Sequence, residues 1–137
     1  MIGEKILLVD DELDYVEGLM MFLKKEGFSV TAAHNGKEAI GAYIKALYDD
    51  VPYSLVLLDM RLPGMNGPEI LKVIRQEEKI RTLVCVPVIL MTAYTYEKPK
   101  FDAAEKGYDD FILKSCSNEE LLIKVSEKIR LREKRLR

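Results

Sequence analysis

Four short runs of this chain are apolar without interruption, and each stops on a polar residue. "KILLVDDE" carries Ile6 to Val9 and then Asp10 and Asp11; "YSLVLLDM" ends its apolar run at Asp59, "VPVILMTA" at Thr92 and "DDFILK" at Lys114. A strand with one wet face alternates apolar and polar residues. An uninterrupted run belongs to a strand buried on both faces, the situation of a parallel sheet covered by helices. A shorter strand, "FSVTAA", falls between the first two.

Helical patterns separate the strands. Val16, Leu19, Met20 and Leu23 recur at helical spacing, with Gly27 as the stop. Asn35 with Glu38 resembles a cap ahead of Ala39, Ile40, Tyr43, Ile44 and Leu47. Pro68 suits the first turn of a helix carrying Ile70, Leu71 and Ile74. A weakly patterned helix is expected around Phe101 to Lys106, and Ser117 with Glu120 forms a capping box for a last helix. Strand and helix thus alternate five times, which predicts an α/β fold: a parallel sheet built from right-handed crossovers with helices on both faces.

Composition narrows the function. A chain of 137 residues fits one domain, and a net charge of −2 argues against a surface that binds nucleic acid directly. No apolar run approaches the ~20 residues that span a bilayer, and "MIGEK" lacks the regions of a signal peptide. Cys85 and Cys116 do not form a C-x-x-C pattern and are expected to be reduced thiols of a cytoplasmic protein. The single histidine, His34, excludes a histidine-rich metal site, and no serine lies in a G-x-S-x-G context.

In open parallel sheets the ligand crevice lies at the carboxyl ends of the strands. The fold would therefore gather Asp10, Asp11, Asp59, Thr92 and Lys114 at one edge. Adjacent carboxylates raise each other's pKa unless positive charge lies between them. Three of them suit a hard divalent cation such as Mg²⁺, which takes oxygen ligands and keeps several waters. A lysine ammonium and a threonine hydroxyl would stabilise charge on a transferring phosphoryl group. A carboxylate is a competent nucleophile for that transfer, and Asp59 is the best candidate because it leads into the open "PGMNG" loop.

At these residues the sequence resembles the receiver domain of bacterial two-component response regulators, the CheY-like superfamily. The resemblance rests on "LLVDDE", "LVLLDMRLPGMNG", "VILMTAY" and "GYDDFILKS", in order. It implies a doubly wound, flavodoxin-like fold of five parallel strands in the order 2-1-3-4-5, flanked by five helices. It implies that Asp59 accepts phosphate from a histidine kinase or phosphotransfer protein. Asp11 and Asp59 would bind Mg²⁺ directly, Asp10 through water, and the carbonyl of Arg61 would be a further ligand. Lys114 would pair with Asp59 and then with the phosphoryl group. Thr92 would donate to a phosphoryl oxygen, small Ala93 would let it approach, and Phe111 matches the family's switch aromatic. The family usually has proline after the lysine, joined by a cis peptide, whereas this chain has Ser115. The "YDDVPY" segment is longer than usual.

The expected function is a phosphoacceptor switch that catalyses only its own phosphorylation and dephosphorylation. One alternative is a degenerate receiver that binds partners without phosphate. Another is a phosphatase of the haloacid dehalogenase type, which places a second acid two residues after its nucleophile; here Arg61 holds that position. Residues 1–129 would form the receiver and 130–137 a basic extension of the last helix. Leu122, Val125, Ile129 and Leu136 lie near heptad spacing. That extension is either a solvated helix end, a linker into an output domain, or a surface that pairs with a second copy in a homodimer.

Overall fold

The computed structural model describes residues 3–94 and 107–137. β1 (Lys5–Val9) leads to α1 (Leu13–Lys25), β2 (Ser29–Ala33) to α2 (Gly36–Tyr48), and β3 (Leu55–Asp59) to α3 (Gly67–Ile80). β4 (Val88–Thr92), β5 (Asp110–Leu113) and α4 (Asn118–Leu136) follow. All neighbouring strands pair in parallel, in the order β2-β1-β3-β4-β5. Four helices flank the sheet among the described residues; the helix expected around Phe101 to Lys106 lies outside them.

The uninterrupted apolar runs have a direct physical cause. Successive strand residues point to opposite faces, and both faces are packed. Leu7, Val9, Val56, Leu58, Val88 and Leu90 share a core with Ala39 and Tyr43 of α2 and with Ile70, Leu71 and Ile74 of α3. Ile6, Leu8, Leu55, Leu57, Ile89 and Met91 pack instead with Val16, Leu19 and Leu23 of α1 and Leu121, Val125 and Ile129 of α4. β2 lies at a sheet edge and alternates, with Ser29 and Thr31 exposed.

The helix ends follow local chemistry. Gly27, at φ +98°, turns the chain out of α1. The Asn35 side chain accepts from Glu38 N at 2.9 Å. α3 starts on a full capping box, in which Asn66 and Glu69 exchange bonds, with Pro68 in the first turn. Ser117 Oγ accepts from Glu120 N at 3.1 Å. The extended segment after α2 begins with Asp50 in the left-handed region at φ 59°, and Val51 N reaches back to Ala46 O at 3.0 Å.

The heptad-like seam expected along the last helix is not free. Val125 and Ile129 are fully buried against the sheet, and the buried stripe is Leu121, Val125, Ile129, a four-residue repeat. The end of α4 is tied down by polar contacts. Arg135 Nη1 donates to Cys85 O at 3.0 Å, and Nη2 pairs with Asp109. Asp109 also accepts from Val88 N at 2.9 Å and pairs with Arg75 at 3.4 Å. Arg75 in turn donates to Gly107 O at 2.7 Å, Val86 O at 2.8 Å and Glu78 at 2.7 Å. Glu78 is 1% exposed, and its second oxygen accepts from Val86 N at 2.6 Å. No helix among the described residues is long and apolar enough to cross a membrane.

A buried charge stripped of its partner is far more costly than a half-exposed one. Arg75→Ala, which takes the only cation from buried Glu78 among the ion pairs described, should lower stability by about 3 kcal/mol in urea denaturation. Arg135→Ala, which leaves Asp109 paired with Arg75, should cost about 1 kcal/mol. Equal losses for the two would mean that Glu78 does not depend on Arg75.

Candidate functional site

The carboxyl end of β1 places Asp10 and Asp11 at the sheet edge. Asp10 N still bonds to Ala33 O of β2 at 3.0 Å, so the residue is held as a strand continuation. Asp10 is fully buried and its two oxygens differ. Oδ1 accepts from Glu12 N at 2.9 Å and so fastens the start of α1, whose N-cap Glu12 makes no side-chain cap bond of its own. Oδ2 is buried without a well-directed hydrogen bond among the described residues, although Lys114 Nζ stands 2.7 Å away in ion-pair contact. Asp11 is exposed.

Asp59 is the last residue of β3, 4% exposed. Its Oδ1 accepts from Arg61 N at 3.3 Å, and its Oδ2 from Lys114 Nζ at 3.0 Å. α3 begins flush against it. A Cβ on Gly67 would run into the Asp59 carbonyl and come within 3.0 Å of Met60 Cα, so glycine is required for this approach. Gly67 N bonds to Met60 O at 3.1 Å.

Lys114 follows β5, its backbone N bonded to Thr92 O at 2.7 Å. Among the described residues no peptide bond is cis, so Lys114–Ser115 is trans, and the ammonium still reaches Asp10, Asp59 and Glu12, the last at 2.8 Å. The face of the Tyr15 ring lies 5.0 Å from Nζ. Thr92 ends β4, 1% exposed, with Oγ1 accepting from Tyr94 N at 3.1 Å. Arg61 stacks on the Tyr94 ring at 5.3 Å. Asp11, Glu12, Asp59, Arg61, Ala93, Tyr94 and Lys114 line a cleft of about 220 Å³.

The edge thus assembles Asp10, Asp11, Asp59, Arg61, Thr92 and Lys114 from three separated strands and the turn after a fourth. Phe111 stands apart, on β5 opposite Leu90, half-buried against the core shared with α2 and α3. The sequence expectations do not include Glu12, Tyr15 or Gly67. Glu12 follows two acids as any solvated helix-start residue would, Tyr15 falls on an ordinary amphipathic position, and Gly67 is one of several loop glycines.

Electrostatics set the site's character. Burial and the charge of Asp10 push the Asp59 carboxyl up to about 6, against the lowering effect of Lys114 and the Arg61 amide. Burial alone would lower the Lys114 ammonium, but its contacts with the Asp10, Glu12 and Asp59 carboxylates outweigh this and hold it above its ordinary value. Burial pushes the Tyr15 phenol up to about 12, which keeps the ring neutral beside that ammonium. One oxygen from each of Asp10, Asp11 and Asp59 lies within 4.8 Å of the others. An all-oxygen donor set, crowded with charge and holding one buried oxygen without a directed bond, fits a hard divalent cation.

The raised pKa of Asp59 has a definite sign. An acid whose folded pKa exceeds its unfolded value binds a proton more tightly in the native state, so stability falls as pH rises from about 4 to about 6. Without divalent cations, Asp59→Asn should stabilise the protein at pH 7, by on the order of 1–3 kcal/mol. The difference should close as the pH falls towards 4, where the wild-type carboxyl is protonated. Chemical denaturation across that range checks it; a difference that widens on acidification contradicts the raised pKa.

Comparison with known proteins agrees with this geometry. A family model described as response regulator receiver domain matches residues 6–126. The chain is 36% identical over 126 residues to the transcriptional regulatory protein ResD of Bacillus subtilis (strain 168), an alignment covering 92% of this chain and 48% of that protein. The chain therefore spans about half the length of that relative. Among solved structures, the response regulator protein TrrA from Thermotoga maritima, in complex with Mg(2+)-BeF, superposes with a TM-score of 0.74 at 32% identity, covering 91% of this chain and 98% of that one. A two-component response regulator from Clostridium difficile gives 0.74 at 30% identity, covering 93% and 97%. With most of its length matched by the family model and its five strands in the order 2-1-3-4-5, the chain belongs to the response regulator receiver domain family.

Proposed function

We propose that this chain is a phosphoacceptor switch in which Asp59 takes a phosphoryl group from the phosphohistidine of a histidine kinase or a phosphotransfer protein. The observation that carries the reading is the buried Asp59 carboxylate, 3.0 Å from the Lys114 ammonium and grouped with Asp10 and Asp11. An Asp59 oxygen attacks phosphorus, the P–N bond to the donor imidazole breaks, and its electron pair leaves with the ring nitrogen. Lys114 and Thr92 donate to the phosphoryl oxygens. Asp11 and Asp59, the Arg61 carbonyl, and Asp10 through water would hold Mg²⁺. When bound, Mg²⁺ supplies positive charge beside the transferred oxygens. The complex of TrrA with Mg(2+)-BeF supports the same assignment here. The intact set of acids, threonine and lysine argues against a receiver that works without phosphate.

Phosphorylation adds charge and acceptor oxygens at the sheet edge. Thr92 would shift towards them and Phe111 would turn into the space vacated, so that a partner distinguishes two populations. Residues 1–129 act as the receiver, and the basic 130–137 segment extends α4 towards an output domain, a partner protein or a second copy. The site is read as a cytoplasmic signalling device and not as an enzyme acting on external substrates.

Incubation with acetyl phosphate and Mg²⁺ should add one phosphoryl mass to the intact protein, with Asp59→Asn and chelator each abolishing the adduct. Asp11→Asn should weaken Mg²⁺ binding by at least about tenfold. An adduct that persists in Asp59→Asn, or undiminished Mg²⁺ affinity in Asp11→Asn, would overturn the assignment.

A further inference from the structure

Lys114 reaches the site on four flexible carbons from a turn, and only its backbone is pinned by the sheet. Its ammonium touches Asp10 Oδ2 at 2.7 Å, Glu12 Oε1 at 2.8 Å and Asp59 Oδ2 at 3.0 Å. Asp10 and Asp59 belong to the group of acids that can hold a cation; Glu12 does not. A divalent cation in that group competes for the same oxygen lone pairs and repels the ammonium. The contacts on which it makes no claim are the Glu12 carboxylate, at the N-cap of α1, and the Tyr15 ring, at the third residue of that helix. The ring offers a negative face to a cation without supplying a metal ligand. The ammonium itself is nearly enclosed, its side chain 8% exposed, so the ring acts where water screens little.

We propose that Tyr15 and Glu12 are positioning residues for Lys114: they hold its ammonium beside Asp59 when a divalent cation shares the acid group. α1 therefore contributes a clamp as well as packing, and the clamp keeps two positive charges, one fixed in the chain and one exchangeable, in one small cleft. The inference deepens the phosphoacceptor reading and depends on it for one of its two readouts.

The test uses the full chain and the variants Tyr15→Phe, Tyr15→Leu, Tyr15→Met and Glu12→Gln. Tyr15 is half-buried among apolar neighbours, so leucine and methionine both retain packing, and thermal melts select the better folded of the two. The first readout is the NMR signal of the Lys114 ε-methylene with and without saturating Mg²⁺. Wild type and Tyr15→Phe should keep an upfield, ring-shifted signal in both conditions. Tyr15→Leu loses the ring shift in both conditions, so its criterion is the further change on adding Mg²⁺, which should exceed that of wild type and Tyr15→Phe as the ammonium leaves Asp59. The second readout is the rate of Mg²⁺-dependent phosphorylation by acetyl phosphate, with acetate as the leaving group. Loss of the ring should slow it by about fivefold, and Tyr15→Phe should stay within about twofold of wild type. Glu12→Gln should fall between them, and Tyr15→Leu should have no further effect in a Lys114→Ala background. A Lys114 signal that responds to Mg²⁺ no more in Tyr15→Leu than in wild type overturns the clamp whatever the phosphorylation rate. A released lysine with unchanged phosphorylation overturns its role in the reaction. Failure of the wild-type chain to be phosphorylated overturns the phosphoacceptor reading, while the Lys114 signal still decides the clamp.

Discussion

The contact between Lys114 and the carboxylates of Asp10 and Asp59 is the constraint around which the carboxyl edge of the sheet is arranged. Burial of Asp59 and the neighbouring charge of Asp10 both oppose its ionisation and push its carboxyl up. One ammonium, from the turn after β5, two strands from Asp59 and three from Asp10, offsets part of that repulsion. The compensation is incomplete. Asp10 Oδ2 is left without a directed bond and Asp11 faces solvent with no share in the lysine contacts. The edge is therefore short of positive charge in its ground state, and a cation, a proton or a substituted asparagine each relieves it in a different way. A site that favours one more positive charge can respond to binding without any large rearrangement of the fold.

Much of this was legible in the sequence because the determinants are local. An apolar run that ends on a polar residue marks both the burial of the strand and the residue at its tip, so Asp10, Asp59, Thr92 and Lys114 are placed by the sequence. Asn35 and Gly27 act within a few residues of themselves and were equally plain. Contacts that depend on which face of which helix meets a distant partner were not. Glu78 lies four residues beyond Ile74 and eight beyond Ile70, on the buried stripe of α3, yet in "RQEEKI" it looks like one more solvated acid. A charge at that position of the apolar repeat was the available signal. Its partners Arg75 and Val86 N became evident only when α3, the loop after it and the start of β4 were brought together.

The last helix illustrates the same limit from the other side. Spacing alone cannot tell a seam that awaits a second chain from a stripe already spent on its own sheet, because both repeat every three or four residues. Val125 and Ile129 are spent on the sheet, whereas Leu136 stays exposed. Arg135, in a segment that reads as solvated, is tied to Asp109 and to the Cys85 carbonyl. Gly67 is a third case: the need for glycine comes from the approach of α3 to the backbone of Asp59, a distance that no local pattern encodes.

The unequal duties of the two Asp10 oxygens bear on how mutagenesis of this site can be interpreted. One oxygen secures the first turn of α1 and the other faces the charged cleft. Alanine there would remove the helix fastening together with the charge, and a loss of binding could not be separated from a loosened helix. Asparagine can retain a carbonyl oxygen towards Glu12 N while withdrawing the negative charge from the cleft, so it isolates the electrostatic contribution. At this position the choice of replacement determines which of two properties is being measured, and variants that look interchangeable report on different parts of the molecule.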